Sequence, residues 1–166
     1  MRRTISRVVC ALSLVALATV SLTTSAADKP AMKPSTATLS FSRLYTGPDG
    51  VSHWVDETLH LASRGTEGLE AMMATAQVGD VKGAFVAMLR SGATEDWHVA
   101  PRRQFMVCLR GLVEVTAGDG QVRRLKPGEF ALLEDLSGKG HITHSAGKED
   151  HVALALPIPD NAFVKE

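Results

Sequence analysis

Short runs of alternating apolar and polar residues, separated by turn residues, fill most of the chain after residue 38. A period of two residues is typical of β-strands with one buried face. Turn-forming residues lie between these runs, at Gly47-Pro48-Asp49-Gly50, Gly118-Asp119-Gly120, Pro127-Gly128 and Ser137-Gly138-Lys139-Gly140. The predicted strands are Leu39 to Tyr45, Ser52 to Leu61, Ala84 to Arg90, Thr94 to His98, Gln104 to Leu109, Leu112 to Thr116, Val122 to Leu125, Phe130 to Glu134, His141 to Ser145 and Val152 to Leu156. Because no helices separate the last eight strands, the pattern predicts an all-β sandwich or barrel.

The segment from residue 67 to 77 departs from this pattern. Leu69, Met72, Met73 and Ala76 recur at helical spacing, which predicts a short helix with one apolar, packed face. The glycines around the segment are equally compatible with an irregular loop, so the sequence leaves both alternatives open.

The N-terminus has the layout of a secretory signal peptide. Three arginines precede an almost uncharged stretch from Val8 to Ala27, and small residues stand just before Asp28. The apolar core is short for a membrane span, although an uncleaved anchor is the alternative. We therefore predict a signal peptide at 1–27, a flexible tether at 28–37, one domain at 38–166, and export to the periplasm or outside the cell.

Charge and cysteine content exclude several classes of partner and structure. The mature chain keeps 15 basic against 18 acidic residues, which gives no basic surface for nucleic acid or anionic lipid. Stable membrane insertion after cleavage is not expected. Cys108 is the single cysteine of the mature chain, so it forms no intramolecular disulfide, and its apolar neighbours predict a buried thiol.

The glycines and histidines between residues 92 and 111 resemble the first motif of the cupin superfamily. In that family the motif reads Gly, five residues, His, one residue, His, three or four residues, Glu, six residues, Gly. Here Gly92, His98, Gln104 and Gly111 stand at the Gly, first His, Glu and last Gly positions, and Ala100 stands at the second His.

The second cupin motif is matched in part. Gly128 stands at its first glycine, and Gly138 and His141 keep the two-residue gap between its second glycine and its histidine. Leu136 stands at its Pro position and Ser145 at its Asn position. The resemblance covers about Gly83 to Pro157. It implies a cupin-type double-stranded β-helix, that is, a jelly-roll barrel.

The resemblance also implies a metal site inside the barrel. At the family's ligand positions this chain has His98, Gln104 and His141, which would hold one divalent transition metal, iron, manganese, nickel, copper or zinc. Gln104 is neutral where the family has a carboxylate, which weakens attraction for a dication. Asp96 lies two residues before His98 and, by strand parity, would share its face and supply the missing carboxylate. Glu134 and Asp135 are further carboxylate candidates.

Three residues near these ligands are predicted to contact a substrate. Trp97 would close a wall of the pocket or pack in the barrel, and Lys139 would attract an anion. Arg103 is the other cation, although its parity relative to Gln104 points it away unless a bulge intervenes. Of the other histidines, His144 is expected to face away from the site, while His53, His60 and His151 are expected at the solvent-facing side of strands.

Three functions follow, and the sequence does not choose between them. The first is a metal-dependent oxygenase or isomerase acting on a small molecule. The second is a non-catalytic barrel that binds a small polar ligand without metal. The third is a dimerisation module, because open sheet edges are often covered by a second subunit. Hydrolase and nucleotide motifs are missing from the sequence.

Overall fold

The computed structural model describes residues 36–65 and 68–160, all within the unit of the chain that spans residues 31–166. The predicted signal peptide and most of the predicted tether lie outside these residues. None of the helices in the described ranges is long and apolar enough to cross a membrane.

Strands make up nearly all of the regular structure. In chain order the elements are β1 (Thr36–Thr46), β2 (Ser52–Ser63), α1 (Gly68–Met72), β3 (Ala74–Thr75), β4 (Phe85–Leu89), β5 (Thr94–His98), β6 (Gln104–Arg110), β7 (Val113–Thr116), β8 (Val122–Leu125), β9 (Phe130–Glu134), β10 (His141–Ser145) and β11 (His151–Pro157). Strands β5, β8, β9 and β10 have the bounds predicted from the sequence. Strand β1 begins two residues before the predicted start of the domain.

The last eight strands form nested antiparallel pairs. Strand β4 pairs with β11, β5 with β10, β6 with β9, and β7 with β8. Such a nested set is a long hairpin folded over on itself, and it produces two sheets with the orders β3-β2-β1-β9-β6-β11-β4 and β5-β10-β7-β8. This is the jelly-roll topology, or double-stranded β-helix, so the predicted fold class is confirmed.

The main core lies between the two sheets. Leu44 and Cys108 from the larger sheet pack with Val113 and Val115 from the smaller one. Trp54 in β2 also spans the interior, because its indole Nε1 donates a hydrogen bond of 3.3 Å to the carbonyl of Val115. The expectation of a buried Cys108 thiol is confirmed.

A second apolar cluster lies on the other face of the larger sheet. Phe41, Phe105, Leu132 and Ile158 form it, and the ring of Phe130 stacks on that of Phe41 with 5.1 Å between centroids. Alternation along β9 explains the two clusters, since Ala131 belongs to the inner core and Leu132 to this outer one.

The segment predicted at 67–77 contains both a short helix and a short strand. The helix, α1, occupies only five residues and is followed by the two-residue strand β3. The prediction is wrong for the two methionines, because Met72 and Met73 are exposed, whereas their neighbour Ala71 is buried. Helical spacing alone could not identify the packed side, because a five-residue helix is too short for a repeated apolar stripe.

Candidate functional site

His98 and His141 meet where the smaller sheet begins. They are register partners on β5 and β10, and their ring centroids are 4.2 Å apart at an interplanar angle of 57°. His141 is buried, with 2% of its surface exposed, whereas His98 is only partly covered. Two imidazoles from the two predicted ligand positions therefore lie in contact at one place, open to solvent on the His98 side.

Each of these rings has its Nδ1 atom held by an oxygen. The Nδ1 of His98 lies 2.7 Å from the carbonyl oxygen of Asp96, and that of His141 lies 2.6 Å from a carboxylate oxygen of Asp135. Carbonyl and carboxylate oxygens accept hydrogen bonds, so Nδ1 carries the proton in both rings. In the neutral state both rings then present an unprotonated Nε2, which is the form that ligates a metal.

The carboxylate next to His98 is that of Glu95 rather than Asp96. The register of β5 against β10 shifts between the partners of His141 and Thr143, which means that a bulge lies between Glu95 and His98. Because the bulge reverses the parity, Glu95 Oε2 comes to 3.5 Å from His98 Nε2. Asp96 instead accepts a hydrogen bond from the backbone N–H of Trp97 at 2.8 Å. The parity argument that put Asp96 on the face of His98 is wrong for this strand.

Asp135 is the buried partner of His141. It follows the last residue of β9 and is fully buried, and its backbone carbonyl accepts a hydrogen bond from Ala100 N–H at 3.1 Å. Its second carboxylate oxygen, Oδ1, has no hydrogen-bond partner among the described residues. This candidate carboxylate from the sequence thus orients an imidazole and keeps one acceptor unused.

Gln104 is buried at the start of β6 and pairs with Leu133 on β9. The parity argument that placed it on the face of His98 does not apply, because β5 and β6 belong to different sheets. Within β6, Gln104 shares the inner face with Met106 and Cys108 by alternation. Its Oε1 atom, like Ser145 Oγ, has no hydrogen-bond partner in the described parts of the chain.

The loop before His141 approaches the backbone of β5 very closely. Gly140 has a φ of 73°, and a Cβ atom at this position would overlap the carbonyl oxygen of His98 and lie 2.8 Å from Val99 N. The carbonyl of Gly140 accepts a hydrogen bond of 2.5 Å from Ser52 Oγ. A glycine here lets β5 and the loop touch, which brings the two histidines together.

Trp97 and Lys139 pack on each other at the surface beside this loop. The ammonium of Lys139 lies 3.9 Å from the centroid of the Trp97 ring and donates to the carbonyl of Gly118 at 3.1 Å. Trp97 is exposed, so the alternative of a barrel-packing tryptophan is wrong. The two side chains lie next to the histidine pair in sequence, and the cation–π contact positions both.

Arg103 and Glu134 belong to a different surface. Arg103 is ion-paired with Glu134, which is also bound by Arg43, and Arg43 lies 3.6 Å from Glu57. Alternation puts these side chains on the outer face of the larger sheet with Phe41 and Leu132. The predictions of Arg103 as a substrate contact and Glu134 as a metal candidate therefore do not fit the geometry, because both groups face away from the histidines and neutralise each other.

The barrel interior contains a small cavity of about 60 Å³. Most of its lining is apolar, and its polar lining comes from Cys108, His141, Thr143 and His151. An apolar cavity of about 150 Å³ accommodates benzene, so this interior is too small for a ring-sized molecule.

His151 is buried, which corrects the expectation of a solvent-facing residue. Its Nδ1 lies 3.7 Å from the sulfur of Cys108. Burial lowers the pKa of His151 and raises that of the Cys108 thiol, so both groups are held in their neutral forms. Strand alternation along β11 was the signal for this position, since His151, Ala153 and Ala155 share the buried face.

His53 lies in a surface cluster with two aspartates. Its Nδ1 is 2.9 Å from Asp119 and its Nε2 is 3.0 Å from Asp49, and hydrogen bonds to these two carboxylates raise the pKa of His53. The two ring nitrogens point to different carboxylates. His144 has a polar partner as well, because its Nδ1 lies 2.9 Å from Thr94 Oγ1.

The described residues contain no group of three or more His, Cys, Asp or Glu side chains arranged to hold a metal ion. At the histidine pair both imidazoles have the tautomer that ligates a metal, and the Glu95 carboxylate lies 3.5 Å from His98 Nε2, but these three side chains do not form a metal-binding group. The residues present fit a metal that two protein nitrogens hold, with its other positions left to water or to a bound molecule.

Comparison with known proteins gave no matching family and no matching curated protein. Among solved structures, a protein of unknown function from Streptococcus pyogenes is 23% identical, with a TM-score of 0.38 over 47% of this chain and 65% of that one. A Cupin 2 conserved barrel domain protein from Salinispora arenicola is 17% identical, with a TM-score of 0.39 over 46% of this chain and 62% of that one. The chain thus spans less than two thirds of either protein.

A third structure is covered more fully. A sugar phosphate isomerase of the cupin superfamily from Silicibacter pomeroyi is 16% identical, with a TM-score of 0.39 over 75% of this chain and 72% of that one. Cupin barrels are jelly rolls, and the nested strand pairs of this chain form the same architecture. The jelly-roll architecture that the two motifs implied is confirmed by these strand pairs.

Proposed function

We propose that this cupin-type barrel binds a small, hydroxyl-bearing molecule beside His98 and His141, through one divalent transition metal held by the two imidazoles. The observation that carries the proposal is the locked tautomer of both rings. Each Nδ1 donates to an oxygen, and metal-binding histidines in proteins almost always show this arrangement. Imidazole nitrogen suits zinc, copper, iron and nickel.

The Asp135 carboxylate supports the metal proposal from behind His141. A carboxylate on Nδ1 fixes the ring orientation and makes Nε2 a stronger donor. It is buried and lies 2.6 Å from the ring, so the orientation is defined by a short, charge-assisted hydrogen bond. When bound, such a metal acts as a Lewis acid on an oxygen of the bound molecule.

Unpaired buried oxygens support the proposed ligand class. Gln104 Oε1 and Asp135 Oδ1 are acceptors without a donor among the described residues, and Asp135 is the one in contact with the histidine pair. Buried polar atoms are nearly always hydrogen-bonded, so a ligand that brings hydroxyl groups satisfies them better than one that brings only carboxylates. The small size of the interior cavity favours a molecule that inserts one or two such groups and leaves the rest near Trp97 and Lys139.

Metal content of the purified protein tests the first part of the proposal. After loading with zinc, nickel, manganese or ferrous iron and removal of free ions, we expect one bound equivalent of at least one metal. His98→Ala and His141→Ala should each abolish it. His60→Ala is the matched control, because His60 is an exposed strand histidine outside the site. Equal metal content in the His98→Ala variant and the wild type would contradict the proposal.

A metal-free binding barrel is the second candidate function. It is favoured because the described residues contain no group of three or more His, Cys, Asp or Glu side chains arranged to hold a metal ion, and because the amide of Gln104 is neutral. Thermal unfolding with sugars and polyols, compared with simple organic acids, tests the ligand class in either case. A ligand at a hundred times its dissociation constant adds about 2.7 kcal/mol of stability. Stabilisation by a polyol in the absence of metal would select this second candidate.

We also propose that the protein is exported. The three arginines, the uncharged apolar stretch and the small residues before Asp28 support this proposal. Mass spectrometry of the protein recovered from the periplasm or medium should give an N-terminus close to residue 28. Recovery of the intact N-terminus in the membrane fraction would favour an uncleaved anchor.

A further inference from the structure

His53 lies between the turn that connects β1 to β2 and the turn that connects β7 to β8. Its Nε2 is 3.0 Å from a carboxylate oxygen of Asp49 in the first turn, and its Nδ1 is 2.9 Å from one of Asp119 in the second. A neutral imidazole has one N–H group and donates to one of these carboxylates, whereas an imidazolium donates to both. Both contacts are therefore satisfied together only when His53 is protonated.

The two carboxylates are held to different degrees. Asp119 also accepts hydrogen bonds from the backbone and the side-chain amide of Gln121, at 2.9 and 3.0 Å, and 18% of its side chain is exposed. Asp49 accepts one from the backbone N–H of Val51 at 3.1 Å, and 53% of its side chain is exposed. Water can hydrate Asp49 more easily, so loss of the proton from His53 should break the contact with Asp49 and keep the one with Asp119.

The β1–β2 turn packs directly on the loop at 137–140. The backbone carbonyl of Gly50 accepts a hydrogen bond of 3.2 Å from Lys139 N–H, and Thr46 Oγ1 donates one of 2.9 Å to the carbonyl of Ser137. A Cβ atom at Gly138 would overlap the carbonyl oxygen of Gly50. Because no space separates the two segments at this point, a displacement of the turn changes the packing of the loop.

The same loop leads into the histidine pair. Gly140 lies against the backbone of His98, and His141 is the next residue of the chain. Lys139, at the middle of the loop, packs on the ring of Trp97. The turn that Asp49 belongs to is therefore connected to the histidine pair through backbone contacts of the loop.

We propose that His53 is a pH-sensitive positioning residue for the loop at 137–140. In its protonated form it ties the β1–β2 turn to the β7–β8 turn and so holds the loop firmly. In its neutral form it releases Asp49, and the hydrogen bond between Gly50 and Lys139 weakens. The inference concerns the loop rather than the metal or the ligand, so it can fail or succeed independently of the proposed function.

Hydrogen bonds to Asp119 and Asp49 raise the pKa of His53 above its ordinary value of 6.5. The change between the two states of the loop should therefore fall above this value.

Two cations near His53 oppose its protonation. The ring of Tyr45 on β1 packs on His53 with 5.9 Å between centroids, and Arg43 lies 5.0 Å from the centroid of that tyrosine ring. Lys139 reaches the β7–β8 turn, where its ammonium donates to a backbone carbonyl at 3.1 Å. The two aspartates contact the imidazole directly, so their effect on its protonation is the larger one.

Amide NMR of the purified protein, from about pH 5.5 to 8.5, tests the proposal in the range where histidines titrate. The amide signal of Lys139 should shift in a step whose midpoint equals that of the His53 ring. Its protection against hydrogen exchange, corrected for the intrinsic effect of pH, should fall by about three- to tenfold through the step, which corresponds to the loss of one hydrogen bond.

Three variants distinguish sensing from a merely structural role. His53→Gln removes the ionisable group, so the step at Lys139 should disappear. Asp49→Asn can donate to a neutral His53 and accept from a protonated one, so the Lys139 amide should keep its low-pH signal and protection throughout. His60→Gln is the matched control, because His60 is an exposed histidine on the same strand, and it should leave the step unchanged.

Circular dichroism establishes that each variant is folded. A wild-type Lys139 amide without a step at the midpoint of His53 would overturn the proposal, and so would a step that persists in His53→Gln. A step in Asp49→Asn equal to that of the wild type would show that release of Asp49 does not move the loop. Loss of the step in His60→Gln would assign the sensing to a different histidine.

Discussion

Substituting Gly140 with alanine should destabilise the barrel and separate His98 from His141. The residue has a φ of 73°, a left-handed conformation that costs an L-residue roughly 1–2 kcal/mol. The new Cβ would also overlap the carbonyl oxygen of His98, so the backbone of β5 has to move. Overpacking of this kind costs about 1–3 kcal/mol, which gives a loss of about 2–5 kcal/mol in the free energy of unfolding.

Gly120→Ala separates the two contributions. Gly120 has a similar φ of 87°, but a Cβ at this position would have no atom within 4 Å. It should therefore lose only the conformational part, roughly 1–2 kcal/mol. Urea unfolding of both variants measures the difference, provided that the slope of the transition is unchanged. Equal losses in Gly140→Ala and Gly120→Ala would show that Gly140 does not hold the loop against the His98 backbone.

Two further predictions concern Asp135 and the His53 cluster. Asp135→Asn removes the charge from the hydrogen bond to His141 and should lower the free energy of unfolding in urea by about 1.5–3 kcal/mol. The control Asp96→Asn changes a surface residue and should alter it by no more than about 0.5 kcal/mol. Equal effects of the two substitutions would mean that the buried pair does not form. The raised pKa of His53 means that its contribution to stability is complete below its ordinary pKa of 6.5 and is lost as the pH rises through the folded-state pKa. Burial opposes ionisation of Asp119, but hydrogen bonds lower its pKa, and hydrogen bonds lower that of Asp49 as well. The contribution of the two carboxylates to folding stability is therefore complete above their ordinary pKa of 3.8 and is lost on acidification. In His53→Gln, the free energy of unfolding should therefore depend less on pH than in the wild type, both in the acidic range and near neutral pH. An unchanged pH profile would show that the His53 cluster does not contribute to folding stability.

The sequence predicts the strands of this fold well because the turns are marked by residue type. The Gly118-Asp119-Gly120 and Pro127-Gly128 turns define both ends of β8, and the predicted bounds of that strand are those observed. Helix α1 was harder to predict from the sequence, because one turn of helix contains too few positions for a periodic pattern. The buried side of the segment is set by packing against other parts of the chain, which residue spacing does not record.

The histidine pair was predictable, but its surroundings were not. Motif spacing put His98 and His141 at ligand positions, and the register of β5 with β10 brings their rings together. The bulge that exchanges Asp96 for Glu95 leaves no trace in residue type, because both positions are acidic. The contact between Asp135 and His141 depends on the path of the loop between them, and sequence patterns gave it only as a nearby carboxylate.

For Arg103, in contrast, the parity argument predicted the observed orientation. Its parity relative to Gln104 indicated that it points away, and the ion pair with Glu134 on the outer face agrees with that indication. The alternative, an inward-facing arginine after an intervening bulge, is not observed, and β6 pairs regularly with β9 from Gln104 onward. Parity is therefore reliable within a regular strand and fails across bulges and sheet crossings, as at Asp96 and at the step from His98 to Gln104.

We propose that the Nε2 atoms of His98 and His141 bind one metal ion, on the ground that each ring is held through its Nδ1. Histidine side-chain ¹⁵N NMR during a titration with zinc, which is diamagnetic, tests it most directly. Before zinc, both rings should be protonated at Nδ1. On titration, the Nε2 signals of these two residues should shift together and saturate at one equivalent, while the signal of His60 stays unchanged. Shifts confined to other histidines, or saturation of His98 without His141, would contradict a metal site shared by the two rings.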